Sequence, residues 1–183
     1  MDRSADRYIR WALPTLGGLL VLATYALPAF MRGPSLFAAD GDPGRHIRVG
    51  TYILETRSIP DTDVFSHTMF GEPFIPFEWL SEIIFAGFHM WAGLAGDVVL
   101  VSFLFAATVG LVHVTMTRAG VPSLIAFAFA FASMVLQAAH LHPRPHMFTT
   151  LLVAAFAFVL LESRRDGSTR RLLLLPLLML LWA

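Results

Sequence analysis

The sequence predicts an all-α, polytopic membrane protein: a helical bundle with a long external loop that carries in-plane helices. Three observations predict it. The 183 residues are 56% hydrophobic and only 14% charged, where soluble domains run at about 25% charged. The apolar residues come in blocks near the roughly 18 residues that mark a membrane helix. The ionisable residues, by contrast, crowd into one stretch from Asp40 to Glu82. An inert anchor has no need of that many in its first long loop, and a polar or charged substrate handled there would explain them.

Composition also excludes some classes. Net charge is zero, which argues against nucleic acid as a partner. There is no cysteine, so there is neither a disulfide framework nor a thiolate metal site. All 13 basic residues are arginine.

The elements follow in order. Residues 11–31 form a first span, read as a retained signal anchor because no Ala-x-Ala cleavage pattern follows it. A loop over 32–96 comes next. Its apolar part, 78–93, would make a helix of about 24 Å, short for a hydrocarbon layer of about 30 Å. The polar residues of that segment, Glu78, Ser81, Glu82 and His89, fall on one stripe at the helical period. Length and stripe together predict an interfacial helix. Further spans are expected over 97–117, 121–139 and 147–162. The run from 172 to 183 is too short to cross. It reads as an incomplete span, with 1–183 a single transmembrane module at the start of a longer protein.

Arginine placement sets the expected topology. With 78–93 lying flat and the N-terminus cytoplasmic, Arg3, Arg7, Arg10, Arg118, Arg164, Arg165, Arg170 and Arg171 are inside. Arg32, Arg45, Arg48, Arg57 and Arg144 are outside. If 78–93 crossed, everything after it would flip and the outside would hold the majority. The positive-inside rule therefore favours the flat helix. It puts the acidic loop and the turn at 140–146 on the same, external face.

Three segments carry candidate chemistry. Asp40-Gly-Asp42-Pro-Gly-Arg-His46 is a Gly/Pro turn that holds two carboxylates near the membrane surface. Asp40 and Asp42 could bind a divalent cation, or one could be a general base tuned by the other. The plainer alternative is a solvated turn in which Asp40 caps a helix starting near Pro43. The second segment, Ser58 to Glu82, is punctuated by Pro60, Gly71 and Pro73, which predict a folded, non-helical loop. Glu78 then opens the flat helix, either as a carboxylate at the positive helix end or as a further acid facing the site. The third is His140-Leu-His142-Pro-Arg144-Pro-His146. Its arginine suits a phosphate, and its histidines have a loose zinc spacing that the prolines disturb. The alternative is an ordinary turn with side chains that snorkel. His89 and His113 read as packed or interfacial, and Asp97 as a helix cap.

This order of parts resembles the N-terminal module of the GT-C superfamily of membrane glycosyltransferases, which includes protein mannosyltransferases, the aminoarabinose transferase type and oligosaccharyltransferases. More narrowly, Asp42-Pro-Gly-Arg-His46-Ile-Arg-Val-Gly50, Pro60-Asp-Thr-Asp63-Val-Phe65-Ser66, Gly71-Glu-Pro73 and Glu78-Trp79-Leu80-Ser81-Glu82 look like a family of bacterial multi-spanning proteins of GT-C type. The resemblance covers nearly the whole chain. It implies glycosyl transfer from a polyprenyl-phosphate sugar at the outer face of a bacterial inner membrane. It also implies a catalytic role, as base or metal ligand, for Asp40 or Asp42, with a divalent cation as cofactor. Substrate contacts would fall to His46, Glu78, His142, Arg144 and His146. Some members of the superfamily carry an acid after the Arg-Pro of the next external loop; here His146 stands there. Two other classes compete. One is a non-catalytic scaffold of envelope polysaccharide machinery. The other is a transporter, which would place its ionisable residues at mid-membrane in broken helices rather than in a loop.

Overall fold

The computed structural model describes residues 15–31 and 41–182. Among them the chain is all-helical, with seven α-helices and no strand. Helix α1 is Leu16–Met31, α2 Asp42–Thr56, α3 Trp79–Ala92, α4 Leu94–Arg118, α5 Ser123–Ala138 and α6 His146–Asp166. A 3₁₀ turn, Thr169–Leu173, leads into α7, Leu174–Trp182. Helices α4 and α6 are long and apolar enough to cross a membrane, while α1 and α5 are apolar but shorter.

Helix α4 is the axis of the fold. Its Leu100, Val101, Leu104, Phe105 and Val109 are buried, together with Leu20 of α1, Phe85 of α3, Ala130 of α5 and Met147 of α6. The register with α1 is antiparallel: His113 lies over Gly17 and Val21 over Gly110. A side chain at Gly17 would run into the His113 ring, so the glycine is what lets the histidine pack. Helix α6 returns alongside α4. Its start meets α3 through an edge-on Phe85–Phe148 pair with centroids 5.7 Å apart. Its end meets the end of α4 through Arg118 and Glu162. Large apolar side chains stay on the outside, among them Phe30, Phe129, Leu136 and Leu180. Patches of that kind mark a surface made for an apolar surrounding or a partner.

Helix α2 is the element the turn reading underestimates. Asp42 is its first residue, Pro43 sits in its first turn, and Gly41 is the N-cap. Proline is suited to that position, since its missing N–H has no helical partner there. Pro43, His46, Val49, Gly50 and Ile53 are all buried, which is one face at helical spacing. The helix ends at Arg57 in the left-handed conformation, with φ 55°.

Between α2 and α3 the loop is folded, as its Pro and Gly positions predict. Asp63 Oδ1 accepts the N–H groups of Phe65 and Ser66, both at 2.8 Å. Its Oδ2 accepts the Ser66 hydroxyl at 2.7 Å. Phe65 then inserts between Tyr52 and Phe74, edge-on at 5.5 and 5.8 Å. The Asp-x-Phe-Ser piece is thus a device that closes the loop and pins it to α2.

Candidate functional site

Helices α2 and α3 run side by side in the same direction, with His46 beside Glu82 and Gly50 against Glu82 and Ala86. A Cβ at Gly50 would collide with the Glu82 carbonyl. Glycine there permits a close approach of two backbones, and that approach brings the polar faces of both helices together.

On α3, Glu78 and Glu82 are four residues apart; on α2, Asp42 and His46 are likewise. Such pairs share a helix face. Glu82 is 0% exposed and His46 2%. His46 donates from Nδ1 to Glu82 Oε1 at 3.0 Å. Glu78 is half-exposed, and its Oε2 lies 3.7 Å from the same His46 nitrogen. Arg45, also half-exposed, reaches Glu78 at 3.4 Å and Glu82 at 3.6 Å. The second oxygen of Glu82, Oε2, is buried without a hydrogen-bond partner. Desolvating a carboxylate oxygen in that way is costly unless a cation or donor meets it.

One turn before His46, Asp42 meets Arg144. The Arg144 Nη2 to Asp42 Oδ2 distance is 3.0 Å. Arg144 therefore points at the acidic segment and not to the periphery, the arrangement expected when the loop and the 140–146 turn share a face. Asp40, the other acid of the expected pair, lies outside the described residues. His146 uses Nε2 to donate to the His140 carbonyl at 3.0 Å. Among the described residues, the one donor set of three within metal-binding reach is His46, Glu78 and Glu82. The histidines at 140, 142 and 146 do not form such a set, because two prolines hold them along an irregular turn.

A cleft of about 260 Å³ opens beside this cluster. Its walls are the first turns of α3 and α6, including Glu78, Trp79, Ser81, His146 and Thr149, and Trp182 of α7. The N-termini of α2, α3 and α6 all reach this end of the bundle. Each brings unsatisfied N–H groups and the positive end of a helix dipole.

Two residues were misread from sequence. The polar stripe of 78–93 does not simply face water: Glu82 is buried under α2. Asp97 is not a cap. It is fully buried in the first turn of α4, and His89 donates to its Oδ2 at 2.6 Å. The i, i+4 pairing of Glu78 with Glu82 and of Asp42 with His46 was the signal that could have found the pair across helices.

No protein-family description, no curated protein and no solved structure matches this chain.

Proposed function

We propose that this chain is the donor-handling module of a GT-C-type glycosyltransferase, multi-pass in a bacterial inner membrane with its N-terminus cytoplasmic. It would take a polyprenyl-phosphate sugar at the outer face and pass the sugar to an acceptor hydroxyl. The observation that carries the reading is the Arg144–Asp42 pair at 3.0 Å, seated where three helix N-termini converge beside a cleft. That end of the bundle suits a phosphate. An incoming phosphate oxygen would take over the Arg144 guanidinium, for which it is a strong bidentate partner. Asp42 would then be released to accept the acceptor's proton. Arg144, with His146 or His142, would stabilise the departing phosphate. Glu78, at the lip of the cleft, would orient the acceptor, and His46 would hold Glu78. Asp40 would share the work of Asp42 as base or metal ligand.

The test is transfer from a radiolabelled polyprenyl-phosphate sugar by the full-length protein. Asp42→Asn should lower the rate by about 10²–10⁴, the usual cost of losing a general base, with abundance unchanged. Arg144→Gln should do the same. Normal turnover in both single variants and in the double variant ends the reading.

One observation favours a second reading, that of a non-catalytic scaffold. Asp42 and Glu82 are already matched, by Arg144 and His46, as in a lock between helices. In that case no lipid-linked sugar turns over, and both substitutions lower abundance instead.

A further inference from the structure

The geometry points to a divalent-cation site formed by His46, Glu78 and Glu82. This is a different donor set from Asp40 and Asp42, to which the sequence gives that role. Their ligand atoms all fall within 4.8 Å of one another. The His46 Nδ1 to Glu82 Oε1 and Glu78 Oε2 distances are 3.0 and 3.7 Å. A tetrahedral zinc with N and O ligands at about 2.0–2.1 Å has ligand–ligand edges of about 3.3–3.4 Å. The two distances bracket that edge, and the Glu78–Glu82 edge, within 4.8 Å, closes on a metal by movement of the half-exposed Glu78 side chain.

The second observation is independent of the spacing. Glu82 is fully buried and its Oε2 has no hydrogen-bond partner. One half of the carboxylate is satisfied by His46 and the other half is not. A cation drawn between Glu82, His46 and Glu78 would meet the carboxylate oxygen that His46 leaves without a partner. One imidazole and two carboxylates are ligand types that suit zinc or manganese, and three protein ligands leave a coordination position over. Glu78 also lines the cleft, so that position would open toward it.

Arg45 is the competitor. Its guanidinium sits 3.4 Å from Glu78 and 3.6 Å from Glu82, where a second cation would be repelled. Its side chain is 45% exposed and can swing outward. Metal and Arg45 therefore exchange for the same carboxylates, and removing Arg45 should tighten metal binding. A purely structural salt-bridge cluster has no reason to behave so.

The test measures metal alone, with no substrate, so it stands whether or not the glycosyl-transfer reading does. The full-length protein in detergent is stripped with a chelator and titrated with Zn²⁺ and Mn²⁺. Bound metal is read by elemental analysis and by the rise in Tm. One equivalent is expected. Glu78→Gln sits at a half-exposed position and folds; Glu82→Gln keeps an acceptor for His46. Each should weaken binding by at least about tenfold, as disturbing metal sites does. Arg45→Ala should strengthen it. The proposal is overturned if no saturable equivalent binds. It is equally overturned if both glutamine variants bind as the native chain does, if Arg45→Ala weakens binding, or if binding is lost only in His140→Ala or His146→Ala.

Discussion

Both ends of the bundle gather arginines around carboxylates, but they do so differently. At the end opposite the cleft, Glu162 Oε2 accepts from Arg118, Arg165 and Arg171 at 3.0, 2.9 and 3.0 Å. Arg171 also pairs with Asp166 at 2.7 Å. The C-termini of α4 and α6 lie there, where cations complement the helix dipoles. One carboxylate oxygen is met by three guanidinium donors. At the cleft end, helix N-termini converge, the acids outnumber what the nearby cations fully satisfy, and one buried oxygen of Glu82 has no donor. Saturation is the mark of a clamp between helices and loops. An unmet buried group beside a cleft is the mark of a site that waits for a ligand.

The comparison breaks most visibly at Gly50. Gly50→Val drives a branched side chain into the Glu82 backbone and must part α2 from α3. Overpacking of this kind costs about 1–3 kcal/mol or more. Tm should fall, and the metal affinity should be lost with it, because His46 leaves Glu78 and Glu82. A Gly50→Val variant with native Tm and native metal binding would mean that the two helices do not touch as described.

A smaller effect separates the two ends by kind. Glu162→Gln removes the charge that three arginines share, so Tm and abundance should drop. Transfer per folded molecule should stay unchanged, since Glu162 is remote from the cleft. Asp42→Asn should show the reverse: native abundance and lost turnover. If both substitutions act on stability alone, the two ends are the same kind of structure and the scaffold reading gains.

Much of this layout was legible in the sequence, and what failed has a physical cause. Apolar block length located every helix from α3 onward to within a few residues. Arginine placement put the Asp42 segment and Arg144 on one face, and Arg144 does meet Asp42. Pro60, Gly71 and Pro73 announced a folded loop. The buried pairs were not legible. His46 and Glu82 are 36 residues apart, and their meeting depends on the register of α2 against α3, which Gly50 sets and no local pattern states. His89 and Asp97 meet only because Gly93, with φ 58°, breaks the helix between them. Arg118 and Glu162 belong to different helices, α4 and α6, which run parallel because α5 carries the chain back between them. Periodicity reports which face of a helix is polar, but not whether that face meets water or another polar face.

The smallest effect expected lies in the loop, and it depends on pH. The Ser66 hydroxyl, and after it the Ser66 and Phe65 N–H groups, hold the Asp63 carboxyl below its ordinary value of 3.8. A group whose pKa is lower folded than unfolded adds stability above the unfolded value. That stability fades as pH falls through the folded value. Above about pH 5 the contribution is complete, and it is lost progressively in stronger acid. Protonation removes acceptors from the turn that positions Phe65, so the aromatic contact with Tyr52 and Phe74 should loosen with it. Pepsin works in acid and can report this as cutting between Pro60 and Pro76. In the native chain, cutting should rise as pH is lowered from about 5 to about 2.5, beyond the enzyme's own change on an unfolded standard. Asp63→Asn keeps one acceptor oxygen and does not titrate, so its loop should be more open at the higher pH and respond less to acid. Parallel pH profiles for the native chain and the Asp63→Asn variant would show that the carboxylate does not close the loop. The Asp-x-Phe-Ser segment would then need another explanation, such as a direct contact with substrate.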